Sequence, residues 1–170
     1  TGSPAWADGL FDPVLGRIHV PTQSALEDRA WLRRVLRHEF VHALLHDQQG
    51  LNHHAIPTWL NEGLAMQLSN DHWTDLDQLH QQKLSIIPLT ALEGSWGELQ
   101  SEEASVAYLE ADSAAGYLIT RYGMHEVQQL LARLKQKQSL PAAIHAQLSL
   151  SYEQLQSRWI AHLQERRPRG

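Results

Sequence analysis

The sequence predicts a predominantly helical α+β fold that forms a single domain of 170 residues. A segment near the N terminus alternates apolar and polar side chains around a proline and glycine turn, as a β-hairpin does. Most of the later chain places apolar side chains at helical spacing. The hydrophobic content of 42%, with six tryptophans, indicates a folded protein, and the length suffices for one sizeable core.

The first predicted element is a hairpin over residues 10–21, whose turn begins with Asp12-Pro13 and contains Gly16. Residues 17–20 alternate in character, which indicates a strand with one buried face. The proline that ends the segment suits an edge strand, because proline has no backbone N–H to donate to a neighbour.

A helix is predicted from Ser24 to Leu45, because Ser24 and Glu27 fit a capping box and Gly50 offers a stop. One side of this helix is expected to carry Trp31, Val35, His38, His42 and Leu45 or His46. The apolar residues expected to anchor it in the core are Leu32, Leu36, Phe40, Ala43 and Leu44.

A second helix is predicted over residues 56–69, opened near Pro57 and Thr58. The chain between the two helices is long enough to turn and bring the second antiparallel against the first. Gly63 and Ala65 are expected to let these two backbones approach closely.

The rest of the chain is predicted to be a helical scaffold. Its elements are a polar helix (71–82), a turn-rich connection with Pro88, Gly94 and Gly97, a helix (102–122) ended by Gly123, an amphipathic helix (124–137), a short helix from Pro141 and a last helix capped by residues 151–154. The apolar residues assigned to the core are Val127, Leu130, Leu131, Leu134, Leu155, Trp159 and Leu163.

The predicted first helix contains His38-Glu39-Phe40-Val41-His42, the pattern H-E-x-x-H. At this spacing the two imidazoles leave the helix one turn apart on the same face, so both can bind one metal ion. Glu39 then lies beside the open position of the metal, where a general base is needed. The alternative is a pair of surface histidines on an amphipathic helix.

A catalytic zinc site needs a third protein ligand and an open position for water. His46 lies about 12 Å along the helix axis from the first histidine of the motif, too far to share one ion with it. His53 and His54 lie in a polar segment, where solvated histidines are expected. Glu62, on the second predicted helix, can complete a site of two histidines and one glutamate. The predicted metal ligands are therefore His38, His42 and Glu62.

The H-E-x-x-H pattern followed by Trp59-Leu60-Asn61-Glu62-Gly63-Leu64-Ala65 resembles the gluzincin zinc metallopeptidases, in particular the small peptidase-MA-like domains often appended to larger bacterial proteins. The resemblance implies a zincin-like active-site helix pair, one zinc ion per chain and Glu62 as a ligand. Thermolysin-like relatives carry an aspartate four residues after that glutamate, which orients a zinc histidine. Met66 stands there in this chain, so the orienting group must come from elsewhere.

The resemblance implies zinc-dependent peptide-bond hydrolysis, in which Glu39 moves the proton of an activated water to the leaving amine. The developing oxyanion needs a further donor. Tyr108 and Tyr117 are candidates on opposite faces of one predicted helix, and the resemblance favours Tyr108. For each tyrosine, a packing role is the alternative. Asp112 is a candidate to orient a zinc histidine, although a solvated helix charge is the favoured interpretation.

By the same resemblance, residues 17–20 are expected to receive an extended substrate by strand addition. A purely structural hairpin is the alternative. The single domain then comprises a hairpin or edge strand (1–22), a zinc-binding helix pair (23–70), a helical subdomain (71–165) and a frayed tail (166–170).

Composition restricts the partners. A net charge of −5 with no basic stripe argues against nucleic acid, and no run approaches the roughly 18 apolar residues of a membrane span. The absence of cysteine excludes disulfides and thiolate ligands. A peptide or protein substrate is the expected partner. Because the chain begins at Thr1 and not at methionine, an excised fragment of a longer protein or a processed product is expected. No signal peptide opens the chain, so the compartment is left open, with a secreted or periplasmic bacterial protein as one candidate source.

Two functional classes stay open at this point. One is an active zinc metallopeptidase, and the other is a zinc-binding scaffold that acts as a regulatory or protein-interaction module without turnover. Glu39 favours activity, because an inert scaffold has no need of a general base. A metal-independent interaction protein requires both sequence blocks to be accidental.

Overall fold

The computed structural model describes residues 10–21, 27–50, 56–70 and 86–165. Its elements, in chain order, are β1 (Leu10–Asp12), β2 (Arg17–His19), α1 (Arg29–Gln49), α2 (Thr58–Ser69), a short 3-10 helix (Leu89–Leu92), α3 (Ser101–Tyr122), α4 (Met124–Lys135), α5 (Leu140–Leu148) and α6 (Tyr152–Glu165). A small antiparallel sheet thus precedes a mainly helical chain, which confirms the predicted fold class.

The N-terminal hairpin forms as predicted. β1 and β2 are antiparallel, and Phe11 is opposite Ile18. The turn is held by Asp12, whose carboxylate accepts the backbone N–H groups of Val14 and Leu15 at 2.8 and 3.0 Å. Gly16 has a φ of 61°, a left-handed conformation that glycine adopts without steric cost. Both strands contact α1.

Helix α1 begins at Arg29, not at Ser24 as predicted. Asp28 is the N-cap, because its carboxylate accepts the backbone N–H groups of Ala30 and Trp31. The capping box expected at Ser24 lies outside the described residues. The predicted stop is confirmed, since Gly50 closes the helix with a φ of 57°.

The prediction of which α1 residues anchor the helix in the core was wrong for three of them. Leu36, Phe40 and Leu44 are 39%, 57% and 46% exposed. The buried residues of α1 are Val35, Glu39, Val41, Leu45 and Gln49. Helical spacing predicts which residues share a face, but the neighbours of α1 decide which face is covered. Helix α2 and the hairpin lie on the side that carries Glu39, and the face with Phe40 is left open.

Helix α2 contacts both α1 and α3. Gly63 was expected to bring α1 and α2 together, but it faces α3 instead. A methyl group added at Gly63 would lie 2.2 Å from the carbonyl oxygen of Ala111 and 2.7 Å from the side chain of Ala115. The glycine therefore permits close contact between α2 and α3. This contact sets the position of α2, and with it that of Glu62, relative to α3.

The helices after α2 follow the sequence predictions where they are described. Gly123 ends α3 with a φ of 90°, and Ser139 caps α5. Ser151 and Gln154 exchange backbone and side-chain hydrogen bonds at the start of α6, as a capping box does. The predicted core residues of α4 and α6 are buried. The polar helix predicted over residues 71–82 and the tail at 166–170 lie outside the described residues.

Trp59, at the start of α2, connects this helix to the start of α6. Its side chain is fully buried, and its indole N–H donates to the hydroxyl oxygen of Tyr152 at 2.9 Å. The same start of α2 is held by a backbone hydrogen bond from Thr58 to the carbonyl of Glu93. The segment that carries Glu62 is thereby fixed against both α6 and the connection before α3. Within the described part of the chain, no helix has the length and apolar character needed to cross a membrane.

Candidate metal centre

Helices α1 and α2 bring together the three residues predicted as metal ligands. One ligand atom of each of His38, His42 and Glu62 lies within 4.8 Å of the other two. The Nε2 atoms of His38 and His42 lie 3.3 and 3.5 Å from the same Oε2 atom of Glu62. The side chains are only 12 to 18% exposed, so the group is largely shielded from solvent.

The local structure explains this arrangement. His38 and His42 are separated by one turn of α1, and their ring centroids are 4.7 Å apart. Glu62 is the fifth residue of α2, which Pro57 opens at a backbone ψ of 148°. The side chain of Glu62 therefore reaches the histidines from a neighbouring helix whose start is fixed in the core.

The donor set and its spacing fit a tetrahedral metal ion. Two imidazoles and one carboxylate are typical ligands of catalytic zinc. Two atoms that each lie about 2.0 to 2.1 Å from a tetrahedral ion are separated by about 3.3 Å. The nitrogen-to-oxygen distances of 3.3 and 3.5 Å are close to this value. His38, His42 and Glu62 thus form a group able to hold a metal ion.

Two opposing effects act on the pKa values of His42 and Glu62: burial and the opposite charges close to each group. Burial disfavours the imidazolium form of His42, but the carboxylates of Glu62 and Glu39 raise its pKa to about 9. Burial also disfavours ionised Glu62, yet the adjacent His42 and His38 hold the pKa of that carboxyl below its ordinary value. A proton on His42 thus occupies the position that a cation would take, so protons and metal compete for the site.

Glu39 is the buried carboxylate next to this group, with a relative exposure of 6%. Burial raises the pKa of Glu39 above its ordinary value, although the imidazoles of His42 and His38 act in the opposite direction. The backbone N–H of Phe11 lies close to the Glu39 carboxylate and acts in the same direction as the imidazoles. Strand β1 therefore lies beside Glu39, and the ring of Phe11 packs edge-on against His46 with centroids 5.5 Å apart.

Asn61 is a residue of this site that the sequence reasoning missed. The Nδ1 atom of His42 lies 3.2 Å from the Oδ1 atom of Asn61. When the ring is neutral, a hydrogen bond donated from Nδ1 places the proton there and leaves Nε2 as the atom that can bind a metal. Met66, at the position where thermolysin-like relatives carry the orienting aspartate, is a buried core residue. One feature of the sequence could have identified Asn61: it directly precedes Glu62. A residue next to a predicted ligand on the same helix also lies close to the other ligands.

The remaining candidates have different surroundings. His46 packs against the hairpin, and His53 and His54 lie outside the described residues. Tyr117 is buried between Tyr122 and His162, with ring centroids 6.1 and 5.2 Å away, which is a packing role. Burial raises the pKa of Tyr117 to about 12, and the neighbouring Tyr122 adds to this shift.

Tyr108 is partly buried, and its ring packs perpendicular to that of Trp96 at 5.1 Å. Asp112 is not the solvated charge that the sequence favoured. It is partly buried, and its carboxylate accepts a hydrogen bond of 2.8 Å from the side-chain amide of Gln67 on α2. This contact joins α3 to α2.

Comparison with known proteins agrees with the geometry of the site. The sequence profile of the Peptidase MA superfamily matches residues 3–165, nearly the whole chain. No curated protein and no solved structure gives a significant match. The match covers the hairpin, the helix with the H-E-x-x-H pattern, the helix with the third carboxylate and the helical region that follows. The chain therefore belongs to the Peptidase MA superfamily, a gluzincin-like peptidase family.

Proposed function

We propose that this protein is a zinc-dependent peptidase that hydrolyses peptide bonds of a peptide or protein substrate. The observation that carries the proposal is the approach of the Nε2 atoms of His38 and His42 to one oxygen of Glu62, with Glu39 buried beside them. Membership of a peptidase superfamily supports the same conclusion.

In this proposal, His38, His42 and Glu62 hold one zinc ion per chain. When bound, zinc supplies Lewis acidity for a water molecule and for the scissile carbonyl. Asn61 accepts a hydrogen bond from Nδ1 of His42, which keeps Nε2 available as a ligand atom. The lowered pKa of Glu62 keeps its carboxylate ionised and able to bind a cation at neutral pH.

Glu39 is proposed as the general base. It would take a proton from the attacking water and return it to the amine of the departing peptide. Burial strengthens the affinity of this carboxylate for a proton, which suits a group that must accept and then release one. The Phe11 N–H lies close to the carboxylate, so β1 borders the site.

Tyr108 is proposed as the donor to the developing oxyanion. Tyr117, the other candidate, packs its ring against Tyr122 and His162. Tyr108 lies on the opposite face of α3, at a position where the ring is partly exposed. In this proposal the phenol of Tyr108 would donate one hydrogen bond to the charge that forms at the carbonyl oxygen.

The hairpin is proposed to hold the substrate in an extended form. Within the described residues, the sheet consists of β1 and β2 alone, so β2 pairs with β1 on one side. Its other edge, in residues 17–20, can receive a substrate strand. The whole chain is proposed to act as one domain, because helix α2 contacts both α1 and α3.

The test is cleavage of a peptide library by the zinc-loaded wild type and by Glu39→Gln. Glu102→Gln, a change at an exposed residue of α3, is the matched control. We expect cleavage by the wild type and the control, and loss of about a thousandfold or more for Glu39→Gln with zinc still bound. Zinc binding without cleavage by any form would instead favour a scaffold without turnover. Equal cleavage by Glu39→Gln would contradict the role of the base.

A further inference from the structure

The outer face of α1 carries an exposed row of apolar side chains. Leu36, Phe40 and Leu44 follow one another at four-residue intervals and are 39%, 57% and 46% exposed. Arg33 precedes the row and Asp47 follows it, and both are exposed. At 100° per residue, these five side chains lie within an arc of about 80° on the helix. We call them the α1 stripe.

The α1 stripe is symmetric about Phe40. Leu36 and Leu44 lie four residues to either side, about 6 Å along the axis. Arg33 and Asp47 lie seven residues to either side, about 10 Å along the axis, and carry opposite charges. Neither forms an ion pair with another residue in the described ranges. A symmetric apolar row with opposite charges at its ends is complementary to a reversed copy of itself.

We propose that the α1 stripe is the contact between two copies of this chain, with their α1 helices packed antiparallel across a two-fold axis at Phe40. In this arrangement Leu36 of each copy packs against Leu44 of the other. Arg33 of each copy is level with Asp47 of the other, so two ion pairs form. Each contact occurs twice, as an isologous interface requires.

The charge pattern favours a second copy over other occupants. An acidic helix would match Arg33 but would meet Asp47 with a like charge, and an anionic lipid surface would do the same. A copy in reverse orientation pairs both ends. The apolar area of three exposed side chains on one helix is small, so we expect a weak, concentration-dependent dimer, not an obligate one.

The proposed contact leaves the candidate metal centre accessible. Phe40 is two residues from His38, which at 100° per residue places the two on opposite sides of α1. Dimerisation and zinc binding can therefore be measured separately. A failure of the peptidase proposal would not affect this inference, and the converse holds as well.

The test is sedimentation equilibrium of the full chain across about a hundredfold range of concentration. Four variants are compared: Leu44→Ser, Arg33→Glu, Asp47→Arg and Arg158→Glu, the last being an exposed charge reversal on α6. All four residues are exposed, so we expect unchanged far-ultraviolet circular dichroism. We expect wild type and Arg158→Glu to dimerise, and the three variants in the stripe to dimerise about tenfold or more weakly.

The decisive measurement mixes Arg33→Glu with Asp47→Arg. In that mixture a heterodimer has opposite charges at both ends, whereas each variant alone has like charges at both ends. We expect the mixture to recover dimerisation that neither variant shows alone. A wild type that remains monomeric throughout, or a mixture no stronger than its components, would overturn the proposal. Binding of the monomer to acidic peptides or anionic vesicles instead would also overturn it.

Discussion

The Nδ1 atom of His42 lies 3.2 Å from the Oδ1 atom of Asn61, the residue directly before Glu62 in the chain. One helical segment thus carries both Glu62, the proposed third ligand, and the group that contacts His42, a proposed histidine ligand. Because α2 holds the two side chains on adjacent positions, a shift of α2 relative to α1 would disturb both contacts at once. The position of α2 in the core therefore determines the geometry of the candidate metal centre.

Replacing Asn61 with alanine should weaken zinc binding about ten- to a hundredfold, because His42 loses the acceptor that fixes its tautomer and ring orientation. Asn61→Asp keeps an acceptor oxygen and should bind zinc nearly as tightly as the wild type. Competition with a chelator of known affinity measures the difference. Equal affinity of Asn61→Ala and wild type would show that the contact does not orient the ligand.

Gly63→Ala should destabilise the fold. The added methyl group would overlap the backbone of Ala111, which lies in a helix and cannot move locally. We expect a loss of about 1 to 3 kcal/mol or more in the free energy of unfolding. Gly94→Ala is the matched control, because a Cβ at Gly94 meets no atom within 4 Å. Urea denaturation of both variants checks the prediction, and equal stability of the two would contradict the close contact of α2 and α3.

The turns, the helix ends and the grouping of the three predicted ligands were predictable from the sequence. Gly16, Gly50 and Gly123 all have positive φ, and each ends or turns an element where the sequence predicted one. The H-E-x-x-H spacing and Glu62 predicted three residues that the structure brings within 4.8 Å. These features depend on short stretches of chain, where spacing alone constrains geometry.

Contacts between distant elements were not predictable in the same way. Periodicity identified Leu36, Phe40 and Leu44 as one face of α1, but not that this face stays exposed. A glycine predicts close approach without naming the neighbour, and Gly63 faces α3, not α1. Asn61 was missed because its role depends on the position of His42 on another helix. Each of these outcomes depends on tertiary packing.

Glu110 should make the stability of the fold depend on pH. It is 1% exposed on α3, and its carboxylate accepts the backbone N–H of Ile87 at 2.9 Å. Burial raises its pKa from 4.5 to about 7. Between these two pH values the folded chain keeps a proton that the unfolded chain has released. The contribution of Glu110 is therefore fully present below pH 4.5 and decreases as the pH rises to about 7, by about 3 kcal/mol.

The variant Glu110→Gln isolates this effect, because glutamine keeps the acceptor for the Ile87 N–H and cannot ionise. We expect the variant to gain stability relative to wild type as the pH is raised from 4.5 to 8, with the difference constant above pH 7. Urea denaturation of both proteins at a series of pH values measures it. A difference that does not change with pH would mean that Glu110 ionises normally in the folded chain.

The most direct test of the central claim is the zinc content per chain, measured by native mass spectrometry after loading with zinc and removal of excess metal. We predict one zinc ion in the wild type, in Glu39→Gln and in His125→Ala, a change at an exposed histidine of α4. We predict none in His42→Ala and none in Glu62→Ala, since each removes a ligand atom of the group. Retention of zinc by both of these variants, or its absence from the wild type, would contradict the assignment of His38, His42 and Glu62 as a metal centre.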